Sequence, residues 1–126
     1  MFLLPVFAFK GKLLRRIDAR DLTHMETVKN YVRVYHVSGQ TYMVRCTLVE
    51  AVSSLRPLFV HVSRNTAVSI LHIDKIDKAH LVVGEKTSIN IAKSYYRPLI
   101  DYLGIIGKTV EREDEATQQD QPEEPE

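Results

Sequence analysis

Five histidines (His24, His36, His61, His72 and His80) and one cysteine, Cys46, are the residues of this 126-residue chain that could ligate a metal or act as an acid, base or nucleophile. Their spacing argues against those uses. Zinc sites draw their ligands from short repeats such as His-x-x-x-His or Cys-x-x-Cys. No two histidines stand at such a spacing, and Cys46 has no cysteine partner. A lone cysteine also excludes a disulfide within the chain, which suits a reducing cytoplasm. Close to apolar Val44, it reads as a small core residue. The chain lacks the glycine patterns of nucleotide-binding loops and the Gly-x-Ser-x-Gly of hydrolases. The expectation is therefore no enzyme, no cofactor, no metal and no small-molecule substrate.

Charge points elsewhere. The net charge of +1 is the sum of two unlike parts. From Met1 to Val110 there are 16 Lys+Arg against 8 Asp+Glu, and from Glu111 to Glu126 one Arg against 8 acids. A basic body attracts phosphate, and an acidic tail can modulate that attraction or solvate the chain. The same body charge also serves solubility, so charge alone leaves nucleic acid and a plain soluble surface both open.

The elements that must position any such surface are short. Val6–Phe9 and Lys12–Ile17 flank the turn signal Lys10-Gly11 and form a first hairpin. Asp18 to Asp21 is a polar break. Leu22–Thr27 is a strand, and Val28-Lys29-Asn30 a loop. From Tyr31 to Val37 the residues alternate, Val32 and Val34 on one face and Tyr31, Arg33 and Tyr35 on the other, as in a half-buried strand. Ser38-Gly39-Gln40 turns the chain into a return strand, Thr41–Arg45. Thr47 and Glu50 have the spacing of a capping box for a helix from about Thr47 to Leu55, stopped by Pro57. Phe59–Val62 is a strand, Ser63 to Thr66 a polar loop, and Ala67–Ile70 a brief strand or turn. Ile73–Asp77 follows, and then a hairpin of Leu81–Val83 and Thr87–Ile91 around Gly84-Glu85-Lys86. A last helix starts at Lys93-Ser94, with Ser94 as its cap, and runs to about Leu103. Pro98 falls near its first turn and Gly104 ends it. Tyr96, Leu99, Ile100 and Leu103 fall on its core side by helical spacing. Strands in succession without β-α-β alternation indicate a mainly-β fold with two short helices.

The ends stand apart. Met1 to Pro5 is an N-terminal extension, too short and too poor in basic residues for a signal peptide or a span. Residues 6–108 form one domain. Residues 109–126 are an acidic tail with too little apolar surface to order itself. No membrane association is expected, and a cytoplasmic location is.

Three stretches in register resemble the LytTR family of DNA-binding domains. Asp21-Leu22-Thr23-His24-Met25-Glu26 with Asn30-Tyr31-Val32 is similar to its opening strand-loop-strand. Thr47-Leu48 through Leu55, then Phe59-Val60-His61-Val62-Ser63-Arg64-Asn65, is similar to its helix and following strand. Ile73-Asp74-Lys75-Ile76 with Ile91-Ala92-Lys93-Ser94-Tyr95-Tyr96 resembles its ending. The likeness covers about Val6 to Leu103. It departs at three places: His61-Val62-Ser63-Arg64-Asn65 stands for Arg-Val-His-Arg-Ser, Val68-Ser69-Ile70 for Val-Asn-Leu, and Ala92-Lys93 for Ser-Arg. The resemblance implies an elongated stack of small antiparallel sheets whose loops enter successive major grooves of double-stranded DNA.

By position, it assigns reading to Lys29-Asn30-Tyr31, to Arg64-Asn65, and to Lys93 with Tyr95 nearby. Residue chemistry agrees. Arg64 can fork onto guanine, and Asn65 or Asn30 can pair with adenine. Lys93 at a helix start suits phosphate. Tyr31 and Tyr95 can bond phosphates or pack on sugars. Arg33, Arg45 and Arg97 suit the DNA backbone. Each also has a plainer reading: Lys29-Asn30 as a polar turn, Arg64 as a solvated charge, and Ser94-Tyr95-Tyr96 as a cap followed by packing aromatics. The implied function is a sequence-specific transcriptional regulator of the bacterial response-regulator, two-component kind, on direct-repeat sites and compatible with a homodimer on DNA. The alternative is a protein-interaction module that keeps the fold without binding DNA, motivated by the altered Ser63-Arg64-Asn65 stretch and the acidic tail.

Overall fold

A computed structural model describes residues 6–107. The expected N-terminal extension and the acidic tail lie outside the described residues. An apolar, β-prone run and the turn signal Lys10-Gly11 set the first strands. β1 (Val6–Lys10) and β2 (Leu13–Ile17) form a two-stranded antiparallel hairpin, Val6 opposite Ile17 and Phe9 opposite Leu14. Gly11 makes the turn at φ +64°, a conformation that costs a glycine little. Ala8 and Ile17 face inward and are buried. Asp18 then caps a 3₁₀ turn, Ala19–Asp21, accepting from the Arg20 backbone N–H and holding the Arg20 guanidinium at 2.9 Å.

Five strands make the central antiparallel sheet: β3 (Leu22–Val28), β4 (Tyr31–His36), β5 (Thr41–Val44), β6 (Phe59–Ser63) and β7 (Thr66–Ser69), in the order β5-β4-β3-β7-β6. Between β5 and β6 runs α1 (Leu48–Ser54), and its capping box is formed: Thr47 Oγ1 accepts from the Glu50 amide at 3.1 Å, and Glu50 Oε1 accepts from the Thr47 amide at 2.8 Å. β8 (Ile73–Ile76), β9 (His80–Val83) and β10 (Thr87–Asn90) form a three-stranded meander, and α2 (Lys93–Tyr102) closes the described chain.

The central sheet is buried differently on its two faces. Met25, Val32, Val34, Phe59 and Ala67 point to one face and join Leu48, Ala51 and Leu55 around α1, with Ala8 and Ile17 from the hairpin. Val62 and Val68 point to the other and pack with Leu81, Val83, Ile91 and Leu99 from the meander and α2. Each cluster holds side chains that are fully buried, so each face of the sheet is fixed by its own apolar contacts.

Four local expectations change. Thr66 belongs to β7 and not to a loop, because Ser63 pairs with Thr66 across a two-residue turn, Arg64-Asn65. The cap of α2 is Ala92, not Ser94; its amide donates to the Val62 carbonyl at 2.9 Å, which fixes where the helix begins, and no side chain caps it. Pro98 is the sixth residue of that helix, so the Ser94 carbonyl receives no amide from it, at a position exposed to solvent. Leu103 ends the helix in an extended conformation, and the left-handed glycine is Gly107, not Gly104.

Candidate nucleic-acid interface

Strand direction decides which loops meet. β3 ends and β4 begins at the turn Lys29-Asn30, and β6 ends and β7 begins at Arg64-Asn65. Because β3 and β7 are antiparallel neighbours, with Glu26 opposite Thr66, both turns come to the same end of the sheet. A backbone hydrogen bond locks them together: the Thr27 amide donates to the Asn65 carbonyl at 2.9 Å. The amide of Asn65 in turn donates to Ser63 Oγ at 3.3 Å, so the family departure at Ser63 sits at a strand end and serves a tight turn. Lys29 holds φ 56°, the left-handed region that glycine or asparagine would adopt more cheaply. The bond from Ala92 to Val62 brings Lys93, the first residue of α2, to the end of β6 that leads into Arg64.

Lys29, Asn30, Tyr31, Arg64, Asn65, Lys93 and Arg97 are all exposed. Tyr31 begins β4 beside Asn30, and Arg97 lies one helical turn beyond Lys93 on the same exposed side of α2. Arg45 follows β5 at the same end of the sheet, since Val44 pairs with Val32. Among the described residues none of Lys29, Arg64, Lys93 and Arg97 pairs with a carboxylate. Tyr95 differs from the rest: it is half-buried and packs against the second core cluster, as its plainer reading has it.

Arg33 is also held back. Its guanidinium lies 3.2 Å from Glu26, which also accepts from the Tyr35 hydroxyl. His24 stacks flat on Tyr35, ring centroids 4.0 Å apart, and its Nδ1 lies 2.9 Å from Thr23 Oγ1. Burial holds the His24 imidazole below its ordinary value, opposed by the charge of Glu26. Sequence reading missed Glu26 as the partner of Arg33. The signal was available only through register, which sets Glu26 opposite Arg33 and His24 opposite Tyr35. Cys46 is half-buried against the first core cluster, and burial pushes its thiol up. Among the described residues no group of three or more His, Cys, Asp or Glu is placed to hold a metal ion, and no helix is long and apolar enough to cross a membrane.

A family model described as the LytTr DNA-binding domain matches residues 12–104. The structure is similar to the LytTr DNA-binding domain of a protein described as a methyl-accepting/DNA response regulator from Bacillus cereus, with a TM-score of 0.65 at 17% sequence identity. That match covers 80% of this chain and 97% of the other, and at this identity it speaks for the fold. No curated protein matches the chain.

Proposed function

Since the chain belongs to the LytTR family of DNA-binding domains, we propose that it is a sequence-specific transcriptional regulator that reads the major groove through its loops. The observation that carries this reading is the clamp between Thr27 and Asn65, which joins two exposed turns at one sheet end beside the start of α2. A rigid pair of turns can enter a major groove about 12 Å wide, where each base pair shows a distinct pattern of donors and acceptors. Arg64 and Asn65 supply forked side chains for base edges, with Asn30 on the neighbouring turn. Lys29, Lys93, Arg97, Arg45 and the Tyr31 hydroxyl suit phosphates, which fix the register of the protein on the duplex. Tyr95 contributes by packing that steadies the start of α2, with its hydroxyl as a further phosphate donor.

Two copies on a direct repeat would engage neighbouring turns of the duplex without a two-fold axis between them, and a homodimer on DNA is compatible with this. The likeness to a response-regulator domain supports a bacterial two-component setting and a cytoplasmic location. The matched family is one of DNA-binding domains, which supports a role without catalysis.

A titration of the isotope-labelled chain with duplex DNA, followed residue by residue by NMR, tests the interface. The expected result is that amides from Lys29 to Tyr31, at Arg64 and Asn65, and at Lys93 and Ser94 shift together. Shifts confined to other surfaces would contradict this interface.

A further inference from the structure

We propose that the β1–β2 hairpin is a docking site for an acidic, apolar-alternating segment of another protein, which adds to the edge of β2 as a third strand. The proposal does not depend on how DNA is read. Phe7, Phe9 and Leu14 are 53%, 67% and 52% exposed. The pairing of Phe9 with Leu14, and of Phe7 with Arg16, sets them in one stripe on the outer face of the hairpin, while Ala8 and Ile17 are buried on the other face, which Leu13 and Arg15 share. An apolar stripe of this kind on a small domain marks an interaction surface.

DNA does not account for it. The hairpin tip lies along Gln40 to Met43, from the turn joining β4 to β5 into β5 itself. The turn Lys29-Asn30 lies toward the opposite end of β4, roughly 10–17 Å away at about 3.3 Å per residue. The apolar stripe is therefore set apart from the turns assigned to base reading.

The charge of the hairpin selects the partner. From Val6 to Ile17 the chain carries Lys10, Lys12, Arg15 and Arg16 and no acidic residue. Among the described residues β2 pairs with β1 alone. A two-stranded sheet is marginal by itself, and an open edge accepts a further strand through backbone hydrogen bonds. A second copy of this chain fits poorly. Antiparallel pairing of β2 with itself about Arg15 would set that arginine against its own copy, and like charges directly opposite are destabilising. Residues 1–5 and 108–126 fit poorly too. Residues 1–5 have no acid, and residues 108–126 have acids but, of Val, Ile, Leu, Met and aromatic residues, only Val110. An incoming strand that alternates Glu or Asp with Val, Ile or Phe would set its apolar residues beside Leu14 on the outer face and its acids beside Arg15 on the other.

The test uses the full chain and two synthetic peptides of equal length, one alternating glutamate with valine and one alternating lysine with valine. The acidic peptide should bind, the lysine peptide should not, and amides from Leu13 to Ile17 should gain protection from hydrogen exchange. Phe9→Ser with Leu14→Ser should weaken the acidic peptide by about tenfold or more, the factor that about 1.4 kcal/mol supplies, and leave DNA affinity unchanged. Arg15→Glu with Arg16→Glu should invert the preference between the peptides. Equal binding of both peptides, no protection in β2, or unchanged affinity after Phe9→Ser with Leu14→Ser would overturn the proposal. Binding to phosphatidylserine vesicles without peptide binding would assign the surface to lipid instead. Dimerisation that the serine substitutions abolish would assign it to a second copy. Either result also overturns it.

Discussion

Arg64 and Lys93 are both exposed cations near one end of the central sheet, yet they are assigned different work. Arg64 tops a turn and can form two parallel hydrogen bonds to guanine, whereas Lys93 is a point charge at a helix start. Arg64→Ala should therefore cost about 1–3 kcal/mol on a preferred site and relax base preference there. Lys93→Ala should weaken every sequence by a similar factor and reduce the salt slope by about one. Arg33→Ala should weaken DNA less than Lys93→Ala, because Glu26 already takes up the Arg33 charge at 3.2 Å. Binding curves on preferred and scrambled duplexes at several salt concentrations check all three. His24 gives a pH test. Its imidazole is held below the ordinary 6.5 by burial. The unfolded chain then binds the proton more readily than the folded one. Its contribution is full above that value and is lost as pH falls from 6.5 toward the lower folded pKa. His24→Phe keeps a ring on Tyr35 but cannot titrate, so its stability, followed by denaturant unfolding, should fall less between neutral and mildly acid pH than that of the parent. An equal fall in both would refute the assignment.

At the scale of the element, the turn Lys29-Asn30 separates stability from binding. Lys29 sits at φ 56°, where a side chain costs about 1–2 kcal/mol that glycine avoids. Glycine returns part of that through its greater freedom when unfolded, about 0.5–1 kcal/mol. Lys29→Gly should therefore leave denaturant stability unchanged or raise it by up to about 1.5 kcal/mol, while the loss of one cation weakens DNA binding. A clear loss of stability would mean that the Lys29 side chain supports the fold. The contrast between α1 and α2 shows what was legible in the sequence. Thr47 and Glu50 announce α1 because both bonds of the capping box are local, three residues apart. The start of α2 is set by a bond from Ala92 to Val62, thirty positions back, which no local pattern reveals. Alternation exposed β4, with Val32 and Val34 buried as expected. The turn at Arg64-Asn65 reads from sequence as four polar residues, because Ser63 and Thr66 look like loop residues until their pairing is known.

At the scale of the molecule, three small antiparallel sheets and two helices agree with the mainly-β reading and with the LytTr structure from Bacillus cereus. Which residues make up the candidate site is legible chiefly through resemblance, because single polar turn residues carry little information of their own. Sheet order supplied what sequence could not: that turns separated by 34 positions share one end, joined through Thr27 and Asn65. Tyr95 shows the reverse case, since the aromatic residue assigned to DNA is also part of the packing that holds α2. The central claim is that this end of the sheet reads base sequence, and selection from a random duplex pool tests it most directly. At roughly physiological salt, phosphate binding without sequence preference is suppressed. Enrichment of a short motif, repeated in the same direction at a spacing near a whole number of helical turns of roughly 10–10.5 base pairs, is the predicted result. Weak, salt-sensitive binding with no enriched motif would contradict the claim and favour a module that keeps the fold for protein partners alone.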